Sequence, residues 1–160
     1  MPEPTSQNPL PWRSNHLGHW LRLALERFDS RVMELMAHHP GVPLGLSNLA
    51  ARGQVGAAHI HITRHLPVEG ARLTALAQAA GMSKQAMGTL VNQCEAWGMV
   101  QRVDDPLDAR AKRVVFTDTG LAWLTACQDA VAQAENELRA AVSPEVATVV
   151  ALGLEAYCGH

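Results

Sequence analysis

The sequence predicts a mainly α-helical protein carrying one small β-hairpin, and three observations lead there. Long segments at both ends repeat apolar residues every three or four positions. Between them, residues 73–98 hold two short helical patterns separated by a Gly-containing turn. Directly after these the period changes to two, over a stretch studded with arginines. At 160 residues with 48% hydrophobic and 18% charged residues, the chain is long and apolar enough for a single buried core. No apolar run is long enough to span a bilayer, so no membrane partner is expected.

The elements follow in order. Residues 1–14 begin MPEPTSQNPLPW, with four prolines and neither a basic n-region nor an apolar stretch behind it. This reads as a disordered arm rather than a signal peptide. A single domain is expected over 15–160. From about Asn15, the residues Leu17, Trp20, Leu21, Ala24, Leu25, Phe28, Val32, Leu35 and Met36 define a long amphipathic helix to about residue 39, which Pro40-Gly41-Val42-Pro43 breaks. Ser47 is placed to cap a second helix running to about His65, against which Gly53 and Gly56 count. Pro67 and Gly70 lead into LTALAQAAG and then MSKQAMGTLVNQCEAWG.

That second segment resolves into two faces at about 100° per residue. Met87, Leu90, Val91, Cys94 and Trp97 share one arc, and Lys84, Gln85, Gly88, Thr89, Asn92 and Gln93 the other. The outer arc holds amides, a hydroxyl, a glycine and one lysine in place of the usual Glu/Lys pairs, groups able to read base edges without repelling phosphate. Ser83 is the expected N-cap, Gly81 the interhelical turn and Gly98 the stop. Met99–Val103 and Lys112–Phe116 then read as a two-stranded ribbon around Asp104, Asp105, Pro106, Leu107 and Asp108, with Arg102, Arg110, Lys112 and Arg113 along it. Asp108, two positions before Arg110, is expected to orient its guanidinium. Helix, tight turn, helix and basic hairpin form a unit that lays one helix in a major groove while the hairpin reaches the neighbouring backbone or minor groove. Residues 47–117 thus make a winged helix-turn-helix region, flanked by helical segments at 15–39 and 118–160.

The run DPLDARAKRVVFTDTGLAWL, with Asp108-Ala-Arg110, then Phe116-Thr117 and Gly120, resembles the wing signature of the MarR family of bacterial transcriptional regulators. The preceding LTALAQAAGMSKQAMGTLVNQCEAWGMVQRV resembles that family's winged helix-turn-helix, and together the match covers roughly residues 71–124. The resemblance implies a homodimer, joined through its N- and C-terminal helices, that binds a pseudo-palindromic double-stranded DNA operator; three cysteines, an odd count without CxxC spacing, lead to the expectation of reduced thiols in the cytoplasm. The resemblance also implies a repressor released by a small effector, often an aromatic or phenolic anion, held between the dimerisation helices and the reading unit. Recognition-helix contacts are expected from Ser83, Lys84, Gln85, Thr89 and Asn92, and wing contacts from Asp108, Arg110, Lys112 and Arg113. His16, His19 and Trp20, clustered at the start of the first helix, are candidates for the effector pocket; an aromatic anchor in the dimer core is the competing role.

Charge agrees with a DNA reader once it is partitioned. The net formal charge is −2, but residues 72–113 hold six basic against four acidic groups, and the rest seven against eleven. After Thr117 the residues Leu121, Leu124, Val131, Leu138 and Val142 sample one stripe. Ser143-Pro144-Glu145 then starts a last helix, with Val146, Val149, Val150, Leu152, Leu154 and Tyr157, that is too apolar to stand alone in water.

Other chemistry is less well supplied. Cys94, Cys127 and Cys158 form no CxxC pair, and Cys94 lies on the inner arc where a small core residue is expected. His61 and His65 are spaced to share a helix face and hold a divalent metal, but no further ligand follows, so no metal or other cofactor is expected. His38-His39 sits where a cationic imidazole complements a helix C-terminus. No phosphate loop, nucleophile elbow or triad spacing is present, and no enzyme is expected. The alternatives to an effector-released DNA binder are a winged helix used for protein interaction, or a metal- or redox-responsive regulator.

Overall fold

The computed structural model describes residues 11–159, apart from the side chains of Ala57, Ala58 and His61. Of the arm expected over 1–14, residues 1–10 lie outside the described residues, and Pro11–Arg13 form one exposed 3-10 turn. The elements are α1 (Leu17–His38), α2 (Leu44–Ala51), α3 (Ala57–His65), β1 (Ala71–Arg72), α4 (Leu73–Ala79), α5 (Lys84–Ala96), β2 (Val100–Asp105), β3 (Asp108–Phe116), α6 (Asp118–Val142) and α7 (Pro144–Cys158). No single helix among them is long and apolar enough to cross a membrane.

Two expectations need correction. The helix expected from Ser47 to His65 is two helices, because the chain turns at Gly53 (φ +67°) and re-enters helix only after Gly56. Ser47 therefore caps nothing: it lies inside α2 and its hydroxyl donates to the Ala37 carbonyl, tying α2 to the end of α1. The ribbon is three-stranded, in the order β1-β3-β2 and antiparallel throughout, with Ala71 opposite Val114 and Val100 opposite Phe116. Two residues of β1 are too few to leave a period in the sequence. The aliphatic stripe of α6 is distinct from its buried face. Gly120, Trp123, Ala126, Cys127, Ala130 and Ala134 are buried there, while Leu121, Val131, Leu138 and Val142 are exposed.

The core is one cluster drawn from every element before α7. Val32 and Met36 of α1 meet Leu46, Val55, Ile62, Leu76, Met87, Val91 and Trp123 in it. Trp123 Nε1 donates to Thr63 Oγ1 at 3.3 Å, giving a buried indole the polar partner it needs and pinning α6 to α3. Around the core rim, Arg31 donates to both carboxylate oxygens of Glu137, at 2.7 and 2.9 Å, holding α1 on α6. Those bonds depress the Glu137 carboxyl below its ordinary range, the Arg31 hydrogen bond being the main cause. His39 Nε2 lies 3.3 Å from Asp129, and Nδ1 accepts from the Gly41 N–H.

The start of α6 is the tightest contact. Thr117 caps it, its Oγ1 accepting from Gly120 N–H at 3.0 Å while donating to the Gly98 carbonyl, and its own N–H donates to Met99 O. A Cβ on Gly120 would lie 1.9 Å from Met99 O and 3.0 Å from Phe116, so only glycine fits. Gly120→Ala is expected to destabilise the protein by about 1–3 kcal/mol or more through overpacking, and a urea melt with an unchanged midpoint would refute this close approach.

Candidate nucleic-acid interface

The reading unit forms as its residues dictate. Gly81 takes φ +63° in the interhelical turn, and Ser83 Oγ accepts from Ala86 N–H at 3.1 Å to start α5. Met87, Leu90, Val91 and Cys94 are buried and Trp97 is half-buried, as the inner arc requires. The α5 face that remains, with Leu73 and Arg102 at its edges, forms a shallow groove of about 600 Å³ lined by Lys84, Gln85, Gly88, Thr89 and Asn92.

The polar groups on this face are not equally available. Ser83 is occupied as an acceptor by the cap, and Thr89 Oγ1 donates to Gln85 O at 3.2 Å. Asn92 Oδ1 accepts from Arg102 Nη2 at 2.7 Å, and Glu95 takes both the Arg102 guanidinium and, at 3.1 Å, its backbone N–H. Lys84 and Gln85 are exposed, and neither side chain has a hydrogen-bond or ion-pair partner among the described residues. Arg102 and Glu95 were missed as site residues by the sequence reading. Their pairing crosses the Gly98 turn from helix to strand, where no single period relates them.

The wing sorts in the same way. Arg72 Nε donates to Asp105 at 2.6 Å and Asp105 also accepts from Leu107 N–H at 2.8 Å, so the almost fully buried Asp105 carboxylate is satisfied on both oxygens. Its pKa falls below the usual Asp value, with the Arg72 hydrogen bond the largest cause. Lys112 pairs with Asp104, and Arg113 donates to the carbonyls of Glu69 and Gly70 at 3.0 and 2.7 Å. Asp108 does not hold the Arg110 guanidinium as expected. Its Oδ1 accepts instead from Arg110 backbone N–H at 3.1 Å, and Oδ2 is 3.6 Å from Arg72. Asp104 pairs with Lys112 but Asp105 with Asp108, so Ala109, Arg110 and Ala111 bulge out of the ladder, a device that re-aims side chains. Of the wing cations, Arg110 is the one exposed with no side-chain partner among the described residues.

The remaining candidates stand apart from this face. His16, His19 and Trp20 lie at the start of α1, where His16 Nδ1 accepts from His19 N–H at 3.2 Å and His19 meets Trp20 edge-on at 5.3 Å. They line neither this groove nor the larger cleft of about 1110 Å³ walled by α1, α2 and the approach to α3. Among the described residues no three His, Cys, Asp or Glu groups converge on a metal-sized site; the His61 side chain lies outside them, and His65 is half-buried at the end of α3. Burial pushes the Cys94 thiol up to about 12, far from the thiolate that oxidant sensing needs.

Residues 60–111, from α3 through the wing, match the sequence pattern of the MarR family. Over that third of its length the chain is similar to MarR-family proteins. The whole fold extends that likeness. A transcriptional repressor, CouR, solved bound to a 23-mer DNA duplex superposes with a TM-score of 0.70 at 19% identity, over 96% of this chain and 99% of that one. Wild-type MarR from E. coli, in its apo form, gives 0.64 at 19% identity over 88% and 96%. Bordetella bronchiseptica BpsR, whose DNA binding is regulated by 6-hydroxynicotinic acid, gives 0.63 at 18% identity over 92% and 96%. The MarR-like architecture therefore runs through α1, α6 and α7 as well as the matched segment.

The wing anchor has a pH signature. Because the folded-state Asp105 pKa is depressed, its stabilisation is complete above the unfolded value of about 3.9 and is lost as pH falls through the lower folded value. Below about pH 4, the wild type should lose wing protection that Asp105→Ala, with no acceptor for Leu107 N–H, already lacks at neutral pH. Amide exchange at Leu107 is the measurement, and equal exchange rates in both proteins at pH 7 would refute it.

Proposed function

We propose that the protein is a homodimeric, sequence-specific double-stranded DNA-binding transcriptional regulator, a repressor released when a small aromatic anion binds it. The observation that carries this reading is the distribution of unsatisfied groups. Lys84 and Gln85 on the α5 face and Arg110 on the wing bulge are exposed and unpartnered among the described residues, while Arg72, Arg102, Lys112 and Arg113 are committed to holding the unit in shape. Lys84, Gln85 and Thr89 occupy the N-terminal half of the recognition helix, which normally meets base edges. Asn92 and Arg102 act as one hydrogen-bonded pair at the groove edge, and Ser83 shapes the helix entry.

Residues 15–39 and 118–160 supply the dimer. In the single chain Val149 is 69% exposed and Leu152 59%, and only Ala147 of α7 is buried. A fifteen-residue helix with that composition needs a second apolar surface. Leu17, Trp20, Leu23 and Leu25 of α1, with Leu121, Val131, Leu138 and Val142 of α6, are the exposed large apolar residues of the other two terminal helices. Pairing them across a two-fold axis sets two α5 helices at the spacing of successive major grooves, about 34 Å. The effector is assigned to the cleft between α1, α2 and α3, whose wall is apolar at Leu25, Met33, Ala37, Ala50 and Val55 and whose polar rim is the ion pairs Arg22–Glu26 and Arg64–Asp29. The apolar wall suits a flat ring, an anionic group on which would have to take Arg22 or Arg64 from its carboxylate, with the protein acting alongside DNA in the cytoplasm.

Genomic footprinting of the protein on its own DNA tests the reading directly, and absence of any protected palindrome would end it. Arg110→Ala should weaken binding with little loss of thermal stability, and reduce the salt slope by about 0.9 per wing; an unchanged slope would remove Arg110 from the interface. Val150→Asp should place an unpaired charge in the dimer face and abolish both dimer and operator binding. Sedimentation that finds a monomer still binding a palindrome at full affinity would contradict the assembly.

A further inference from the structure

α3 stands between the cleft and the recognition helix. Val55 and Gly56, at its entry, line the cleft. One turn on, His59 is buried, with both ring nitrogens engaged. Gly56 N–H donates to Nδ1 at 3.1 Å, so Nδ1 is the acceptor and the single ring proton of a neutral imidazole sits on Nε2. Nε2–H then donates to Gln93 Oε1, 2.8 Å away in the last turns of α5. The ring also packs at 4.7 Å on Trp97, where α5 ends. One rigid five-membered ring thereby spans from the cleft wall to the reading helix. Capping the start of α3 would require Nδ1 alone; the Nε2 bond serves α5.

We propose that His59 is a positioning residue that couples the state of the α1–α3 cleft to the pose of α5, passing displacement of Gly56 to Gln93 through its Nε2–H tautomer. This rests on the DNA-binding function proposed above. A molecule in the cleft that moves Gly56 must tilt the ring or break one of its two bonds, and either frees the C-terminal end of α5 from the position that Trp97 and Gln93 give it. Coupling between binding sites is reciprocal, so DNA on α5 must be felt at Gly56, and the coupling can be measured without knowing the effector.

The experiment uses the full-length isotopically labelled protein and a duplex it selects from a random pool. The His59 ring nitrogens and the Gly56 amide are followed by NMR as the duplex is added. The Nε2–H tautomer is expected in the unliganded protein, with a clear DNA-induced shift of the Gly56 amide. Two variants cut the bridge at opposite ends: His59→Asn keeps an acceptor at the Nδ1 position for Gly56 N–H but is too short to reach Gln93, and Gln93→Met removes the acceptor on α5. Both should lose most of the Gly56 shift and about 2- to 30-fold in operator affinity, at a melting temperature close to that of the wild type. Gln93→Glu, which restores an acceptor, should recover the shift. An Nδ1–H tautomer, or a Gly56 response that survives both bridge-cutting variants while DNA still binds, overturns the coupling alone. Failure of the wild type to retain any duplex overturns the functional reading and the coupling with it.

Discussion

The close approach of Gly120 to the Met99 carbonyl, which leaves no room for a Cβ, is the constraint on which the rest of the architecture hangs. Met99 lies between the end of α5 and the start of β2, so whatever fixes it fixes the recognition helix and the wing together. Thr117 completes the junction by binding Gly98, Met99 and Gly120 at once. The long α6 helix thus starts from the point where reading helix and wing diverge. A shift of α6 at this end cannot be absorbed by soft side chains, because the contact is backbone against backbone, and such contacts transmit displacement.

What could be read in the sequence follows the range of the interactions involved. The α5 faces, the Ser83 cap and the Gly81 and Gly98 turns depend on neighbours within four or five residues, and they occur where the pattern places them. The α2–α3 break was signalled by Gly53 and Gly56 but outweighed by the apolar residues on either side. What the pattern does not carry is long-range. Arg113, expected on the wing as a DNA contact, donates to the carbonyls of Glu69 and Gly70, just before a two-residue strand and over forty residues away. The Asp108–Arg110 pairing was right in residues and wrong in atoms, since the aspartate meets the backbone N–H rather than the guanidinium.

The same argument changes what a basic count means. Four cations in the 72–113 segment, Arg72, Arg102, Lys112 and Arg113, face protein oxygens. They hold their positions largely by charge-assisted bonds, which are stronger than neutral ones and keep a small sheet with little core of its own in shape. The surplus charge in sequence therefore overstates the charge available to phosphate. What remains is sparse: Lys84 on the α5 face and Arg110 on the wing bulge.

The two faces of α6 show how a chain divides its apolar residues between folding and assembly. Its Ala-, Cys- and Trp-lined face allows close packing against α1 and α3 within one chain. Its Leu and Val stripe, more apolar by ordinary measures, is left in solvent beside an α7 with almost nothing buried. Hydrophobicity alone predicts the opposite, since larger aliphatics gain more from burial. The resolution is that burial in a second chain yields the same transfer free energy as burial in the first. Small residues are needed where backbones of one chain must approach closely, and large ones can be reserved for a surface completed by a partner. α7 leaves α6 at a 116° bend set by Ser143 with φ +87°, a conformation that non-glycine residues rarely adopt. That bend turns α7 out of line with α6, leaving Ala147 as its buried residue, and fits the dimer proposed above.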